Sequence, residues 1–387
     1  MRPELVERVR RRLAEEGTSV QPSAMAEAVR AEIGGVTTHG DMLRALRTVR
    51  QELVGLGPLE HLLSDPDVTD VLVSAPDQVW VDGHGGLRHS TVSFADEQAV
   101  RRLAQRLALT AGRRLDDAQP YVDGWLPQSC AQRPIRMHAV LPPVAADGTC
   151  LSLRVLHHTA YDLVELAERG TFDRPTKSLL EAIVTARLAF LVTGCTGSGK
   201  STLLGALLAA VPAGERIVCV EDAGELRPGH PQFVRLLARQ ANVEGAGEIT
   251  LRDLVRQALR MRPDRLVLGE VRGREVVDLL TALNTGHDGG ACTVHANSPA
   301  EVPARLEALA ALGGMDRDAL HGQLAAAVQV VLHMRRRSDG GRALEDIGVL
   351  RRAGGGVEIV PAWRSGSWTE HRDLLTRALA HRGVGLT

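Results

Sequence analysis

The stretch that most constrains this chain is the apolar run Leu188-Ala189-Phe190-Leu191-Val192-Thr193, which passes straight into Gly194-Cys195-Thr196-Gly197-Ser198-Gly199-Lys200-Ser201-Thr202 and then into a helix-forming run from Leu203 to Val211. In order, this reads as a buried strand, a glycine-rich loop and a helix. The loop fits G-x-x-x-x-G-K-[ST], in which glycines let successive backbone N–H groups turn inward and cradle phosphate oxygens at a helix N-terminus. On that reading Gly194 through Thr202 bind a nucleotide such as ATP, Lys200 reaches its β- and γ-phosphates, and Ser201 ligates Mg²⁺. The plainer alternative is a glycine-rich turn that binds nothing. Composition argues against it: of 46 Lys+Arg residues only Lys177 and Lys200 are lysines. A planar guanidinium does not replace a compact ammonium against a triphosphate, so a lysine kept here in an arginine-saturated chain points to a chemical requirement. Lys177 has no such context and reads as a solvated helix residue.

At 387 residues, 44% of them hydrophobic, the chain is long enough for two or three domains with real cores. Acidic and basic groups nearly cancel, 47 against 46, and aromatics are 3%. No basic field or stacking track therefore advertises nucleic acid, and no direct nucleic-acid partner is expected. Cys130, Cys150, Cys195, Cys219 and Cys292 show neither paired spacing nor a zinc pattern. They suit a reducing compartment, and no structural zinc is expected. There is no signal peptide, and the apolar runs fall short of the roughly 20 residues needed to span a bilayer, so any membrane association is expected to be peripheral.

Along the chain, residues 1–56 read as an N-terminal helical segment, with Leu5, Val9 and Leu13 on one helix, Met25, Val29 and Ile33 on the next, and Met42 to Leu53 on a third capped by Asp41. The basic residues from Arg8 to Arg12 leave two readings, a membrane-docking face or a solvated one. Residues 57–157 read as a small α+β domain: strands at Val68 to Val73, Gln78 to Asp82 and Leu87 to Phe94, the last two joined by His84-Gly85-Gly86, a helix from Asp96 to Thr110, and strands around Pro134 to Pro143 and Leu151 to Val155. Residues 158–174 read as a linker with a short helix, and 175–387 as an α/β domain of alternating strands and helices, closing with short strands and a polar tail after about Arg342.

Hydrolysis of a nucleotide needs a cradle, a metal, a base for the attacking water and positive charge for the transition state. Glu270, ending the apolar strand from Arg265, is the candidate to hold the Mg²⁺ shell through water; otherwise a carboxylate there needs a partner such as Arg272. Glu221, Asp222 and Glu225 crowd another strand end, with Glu225 the candidate base, against the plainer reading of a solvated turn. His287 and His295 either satisfy structure or sense the γ-phosphate.

Taken in order, the phosphate loop, Val220-Glu221-Asp222-Ala223-Gly224-Glu225-Leu226, the run from Arg262 to Gly273, and Thr285-Gly286-His287-Asp288-Gly289 to His295-Ala296-Asn297-Ser298-Pro299 resemble the traffic ATPases of type II and type IV secretion, most of all the tight-adherence pilus and conjugal-transfer branch. The match covers roughly residues 55 to 335. The resemblance implies a RecA-like P-loop ATPase domain preceded by a smaller α+β domain. It implies a homohexamer using ATP and Mg²⁺ to power a secretion, pilus-assembly or conjugal-transfer machine, cytoplasmic and peripheral at the membrane, with inner-membrane platform proteins as partners. It assigns catalysis to Glu225, with Glu221 beside it, metal binding to Glu270, a histidine pair to His287 and His295, and phosphate-reaching charges to Arg136 and Arg154 of the smaller domain. Gly224 departs from the bulkier residue usual there, and the segment from Leu126 to Arg133 is longer than the hairpin expected. The alternatives are a RecA-like nucleic-acid translocase and a nucleotide-binding scaffold.

Overall fold

A computed structural model describes residues 3–15, 22–33, 38–83, 85–127, 133–155, 161–239, 241 and 246–386. The chain divides into two compact units, Met1–His157 and His158–Thr387.

In the first unit the helices Pro3–Glu15, Pro22–Ile33 and His39–Leu53 bury Leu5, Val9, Leu13, Met25, Val29 and Val49 against one another. The cap of the third is Thr38, not Asp41: its side chain accepts from the Asp41 amide while the Asp41 carboxylate accepts from the Thr38 amide, a reciprocal capping box. The turn residue His84, the linker histidines and Cys130 lie outside the described residues. The rest of the unit is an antiparallel sheet of β1 (Val68–Ala75), β2 (Gln78–Gly83), β3 (Arg88–His89), β4 (Tyr121–Leu126), β5 (Ile135–Val140) and β6 (Cys150–Val155), in the order β3-β2-β1-β6-β5-β4. Alternation along β5 and β6 buries Ile135, Met137, Leu151 and Leu153 beside Leu103 and Leu107 of the helix Glu97–Thr110. Arg136 and Arg154, on the opposite face, are register partners. Two readings are corrected here. Leu87 to Phe94 pairs only at Arg88–His89, and β4, whose apolar pattern Gly124 interrupts, is a strand that periodicity did not reveal.

The second unit holds a nine-stranded sheet: β7 (Phe190–Thr193), β8 (Ile217–Glu221), β9 (Phe233–Leu237), β10 (Arg265–Val271), β11 (Ala291–Val294), β12 (Val330–Arg336), β13 (Arg342–Ala353), β14 (Gly356–Arg364) and β15 (Ser367–Trp368). Their order is β15-β14-β13-β12-β7-β11-β10-β8-β9. From β12 to β9 neighbours run parallel, while β13 to β15 add on antiparallel. β7, β8 and β11 are buried on both faces, which is why they read as continuous apolar runs. Phe190 and Val192 face a core with the helices Arg174–Thr185, Lys200–Ala209 and Arg372–His381. Leu191 faces the other core, with Leu251–Ala258, Glu275–Leu283, Val302–Leu312 and Arg317–Ala327. The fold is an α/β sheet wound on both sides. The short strands read after about Arg342 are a long hairpin whose first strand has twelve residues, and the polar tail after them is instead a helix whose Leu375 and Leu379 are buried. Leu163, Leu166 and Phe172, from the stretch read as a linker, lie in the same core.

Candidate active site

The phosphate loop follows the middle strand of the nine-stranded sheet, with β12 and β11 on either side of β7. Its glycines are required by geometry. Gly194 has φ 145° and a Cβ there would lie 2.3 Å from the Met334 carbonyl oxygen, while Gly199 caps the following helix at φ 94°. No side chain caps that helix, so its first amides remain for an anion, helped by the helix dipole.

Lys200 is buried, and its ammonium donates to the carbonyls of Gly194 (3.0 Å) and Cys195 (2.9 Å) and lies 3.3 Å from His295 Nδ1. Burial pulls its pKa below the usual lysine range against the attraction of Glu270. It is a poorly solvated cation held on two carbonyls, ready to exchange them for phosphate oxygens. Ser201 Oγ donates to Glu225 Oε2 at 3.2 Å, and Glu225 is exposed.

Glu270 stands near the C-terminal end of β10, its Oε2 bonded to Arg272 Nη2 at 2.6 Å. His295 Nε2 lies 2.9 Å from Oε1 but out of line for a hydrogen bond, which leaves Oε1 buried without a hydrogen-bond partner. Burial alone would raise the Glu270 pKa; the hydrogen bond and charge of Arg272, with His295 and Lys200, outweigh it and hold the carboxyl below its ordinary value. His295 is pushed down by burial and the Lys200 charge, which favours a neutral ring.

Glu221 has a different environment from Glu225. It is buried, Oε1 accepts the amides of Glu225 and Leu226 at 3.0 Å each, and Oε2 has no partner. Burial raises its pKa to about 7. Gly269 makes room for it, since a Cβ there would meet Glu221 Cγ at 2.6 Å. Glu221 thus folds the turn that presents Glu225. Gly224 belongs to that turn at φ 64°, against Leu237. Asp222 is exposed, 3.4 Å from Arg272.

One other sequence candidate of the second unit, His287, is not gathered at the loop. His287 precedes β11, whose first residue Ala291 pairs with Phe190 at the start of β7, so it stands at the opposite edge of the sheet from the loop. Its Nδ1 lies 3.1 Å from the Ala282 carbonyl at a helix end, the satisfied structural role, and the expected histidine pair reduces here to His295. In the first unit Arg136 forms a two-pronged pair with Asp123 (2.9 and 2.8 Å), and Arg154 pairs with Asp70 at 3.0 Å. Within the loop Cys195 is exposed, 3.6 Å from Asn297 Oδ1; Thr196 and Gly197 are exposed, and Ser198 is buried with its hydroxyl unpartnered. Sequence reading missed Arg342, whose Nε donates to the Gly197 carbonyl at 3.1 Å. It lies 145 positions along the chain from that glycine, and nothing local marks it.

These residues suit a magnesium nucleotide. The uncapped amides and Lys200 match phosphate, and the orphaned Glu270 Oε1 and the Ser201 hydroxyl match a hydrated cation. Among the described residues no three His, Cys, Asp or Glu side chains converge as a metal cage. Mg²⁺ needs none, since it keeps waters and takes one or two protein oxygens plus phosphate.

Comparisons with known proteins agree. The model of the family described as type II/IV secretion system protein matches residues 52–342. A Mycobacterium tuberculosis (strain H37Rv) protein named for conjugal transfer is 64% identical over 326 residues, covering 84% of this chain and 93% of its own. The type IV secretion system protein VirB11 of Brucella suis is 31% identical over 268 residues, 63% of this chain and 73% of its own. In fold, the crystal structure of the pilus retraction motor PilT with bound ADP matches with a TM-score of 0.53 at 19% identity, over 83% of this chain and 85% of that one. The match across most of the length, together with the loop and acidic strand ends just described, means that the chain belongs to the type II/IV secretion system protein family.

Proposed function

We propose that this protein hydrolyses ATP with Mg²⁺ and, as a homohexamer on the cytoplasmic face of a membrane, drives a type IV secretion, conjugal-transfer or pilus-assembly machine through membrane-embedded partners. The observation that carries the reading is the convergence of Lys200, the Ser201–Glu225 contact and the orphaned Glu270 oxygen on one empty-handed helix N-terminus. The relatives named for conjugal transfer and type IV secretion support the machine, and the membership of the family supports the nucleotide. Among the described residues no helix is long and apolar enough to cross a membrane, and the membrane step is assigned to partners.

The chain's own groups divide the work. Lys200 and the amides of the loop neutralise phosphate charge and fix the polyphosphate. Glu225, exposed at a turn that Glu221 rigidifies, orients the attacking water and takes its proton. Ser201 and Glu270 would hold Mg²⁺, which would supply charge neutralisation at the terminal phosphates. Arg272 orients the Glu270 carboxylate through its hydrogen bond, and His295 lies 2.9 Å from the free oxygen. Arg136 and Arg154 add positive charge during turnover.

The test is Lys200→Ala in the purified protein. Turnover should fall to background and ATP affinity should drop while the circular dichroism spectrum stays that of the parent. ATPase activity equal to the parent would overturn the reading, and stimulation of the parent by single-stranded DNA would favour a nucleic-acid translocase instead.

A further inference from the structure

β12 runs parallel to β7 with His333 opposite Thr193, so its last residues, Met334, Arg335 and Arg336, continue alongside the phosphate loop. Met334 packs directly on it, its carbonyl oxygen against Gly194 and its Cε near Gly199. Side chains alternate along a strand, which sets Arg336 on the Met334 side. Its Nη1 lies 3.9 Å from where a Cβ on Gly197 would stand, at the crest of the loop. The three consecutive arginines are treated differently by the fold. Arg335 is paired with Glu345 at 2.6 Å and Arg337 donates to the Gly170 carbonyl at 3.2 Å. The Arg336 side chain makes no hydrogen bond or ion pair among the described residues and is exposed.

Its register partner across the hairpin is Arg342, the residue tied to the Gly197 carbonyl. Two guanidinium groups side by side on neighbouring strands repel unless an anion lies between or beside them. The sheet order says which part of a nucleotide that anion is. Glu270, His295 and Glu221 stand on strands to one side of β7, through β11 and β10 to β8, whereas Arg336 and Arg342 stand on β12 and β13, to the other side. The carboxylate side suits the metal and the terminal phosphate. The arginine side is left for the phosphates nearest the nucleoside.

We propose that Arg336 grips the nucleoside-proximal phosphates of the bound nucleotide from the crest of the loop, while Arg342 acts as a positioning residue that holds the crest. A guanidinium offers a planar pair of donors to phosphate, and a group acting on the α- and β-phosphates serves ATP and ADP alike. Arg336 is then an affinity determinant and not a participant in bond cleavage. This inference rests on the nucleotide reading above.

The test uses the full chain, with Arg336→Ala, Arg336→Lys and the control Arg335→Ala, measuring ADP affinity by calorimetry and ATP turnover. Arg336→Ala should weaken ADP binding and raise KM for ATP together, each by about tenfold, with kcat changed by no more than about twofold. Arg336→Lys should fall between, and Arg335→Ala should match the parent. Unchanged ADP affinity in Arg336→Ala, or a fall in kcat at unchanged ADP affinity, would overturn the proposal while leaving the nucleotide reading standing. A parent protein that binds neither ADP nor ATP would overturn both.

Discussion

At the scale of single residues the site separates two glutamates that the sequence leaves side by side. Glu225 is exposed and touches Ser201, whereas Glu221 is buried and spends one oxygen on two backbone amides. Glu225→Gln should therefore bind ATP normally and hydrolyse it about 10²-fold more slowly or worse, and Glu221→Gln should be milder; single-turnover measurements on both decide it, and the reverse ranking would exchange their roles. Glu221 also carries a pH signature. Its folded pKa, pushed up to about 7, lies above the ordinary value of 4.5, so between those values the folded state holds a proton that the unfolded chain has lost. Stability then falls as pH rises through that window, by roughly 3 kcal/mol in the limit of a fully realised shift. Glu221→Gln carries no such proton, and denaturant unfolding at pH 5 and pH 8 should show the variant gaining on the parent at the higher pH.

At the scale of elements, local chemistry sets the helix starts. Thr250 accepts from the Asp253 amide and Asp253 from the Thr250 amide, the capping box that opens Leu251–Ala258, a helix burying Leu254 and Val255 on the sheet. Thr250→Ala should lower stability by about 1 kcal/mol with ATPase activity unchanged, as read by denaturant titration. The helix lies on the sheet face, away from the phosphate loop's own helix, so the loss should stay thermodynamic. The same rule explains Thr38: a side chain three positions before an acidic residue is the cap, and the acid is its partner.

At the scale of the molecule, each unit has its own cores. A chain beginning at residue 158 keeps Leu163, Leu166 and Phe172, which a start at Asp173 would strip from the core. It should fold and bind ATP, and, lacking Arg136 and Arg154, turn over at least about tenfold more slowly than the full protein. Equal turnover per subunit would remove those arginines from the mechanism.

Local pattern sufficed for what depends on neighbours in the chain. The loop from Gly194 to Ser201, the apolar strand leading into it and the acidic strand ends at Glu221 and Glu270 were all legible, because backbone conformation and burial leave marks within a few residues. Tertiary structure alone decided which of these residues meet. His287 and His295 look equivalent in sequence, yet the parallel register of β11 on β7 sends one to each edge of the sheet. Glu221 and Glu225 are four apart, and only burial under Gly269 makes one a scaffold and leaves the other open. Arg336 and Arg342 come to the loop because a distant hairpin is added beside β7, a juxtaposition set by strand order, which local periodicity does not encode.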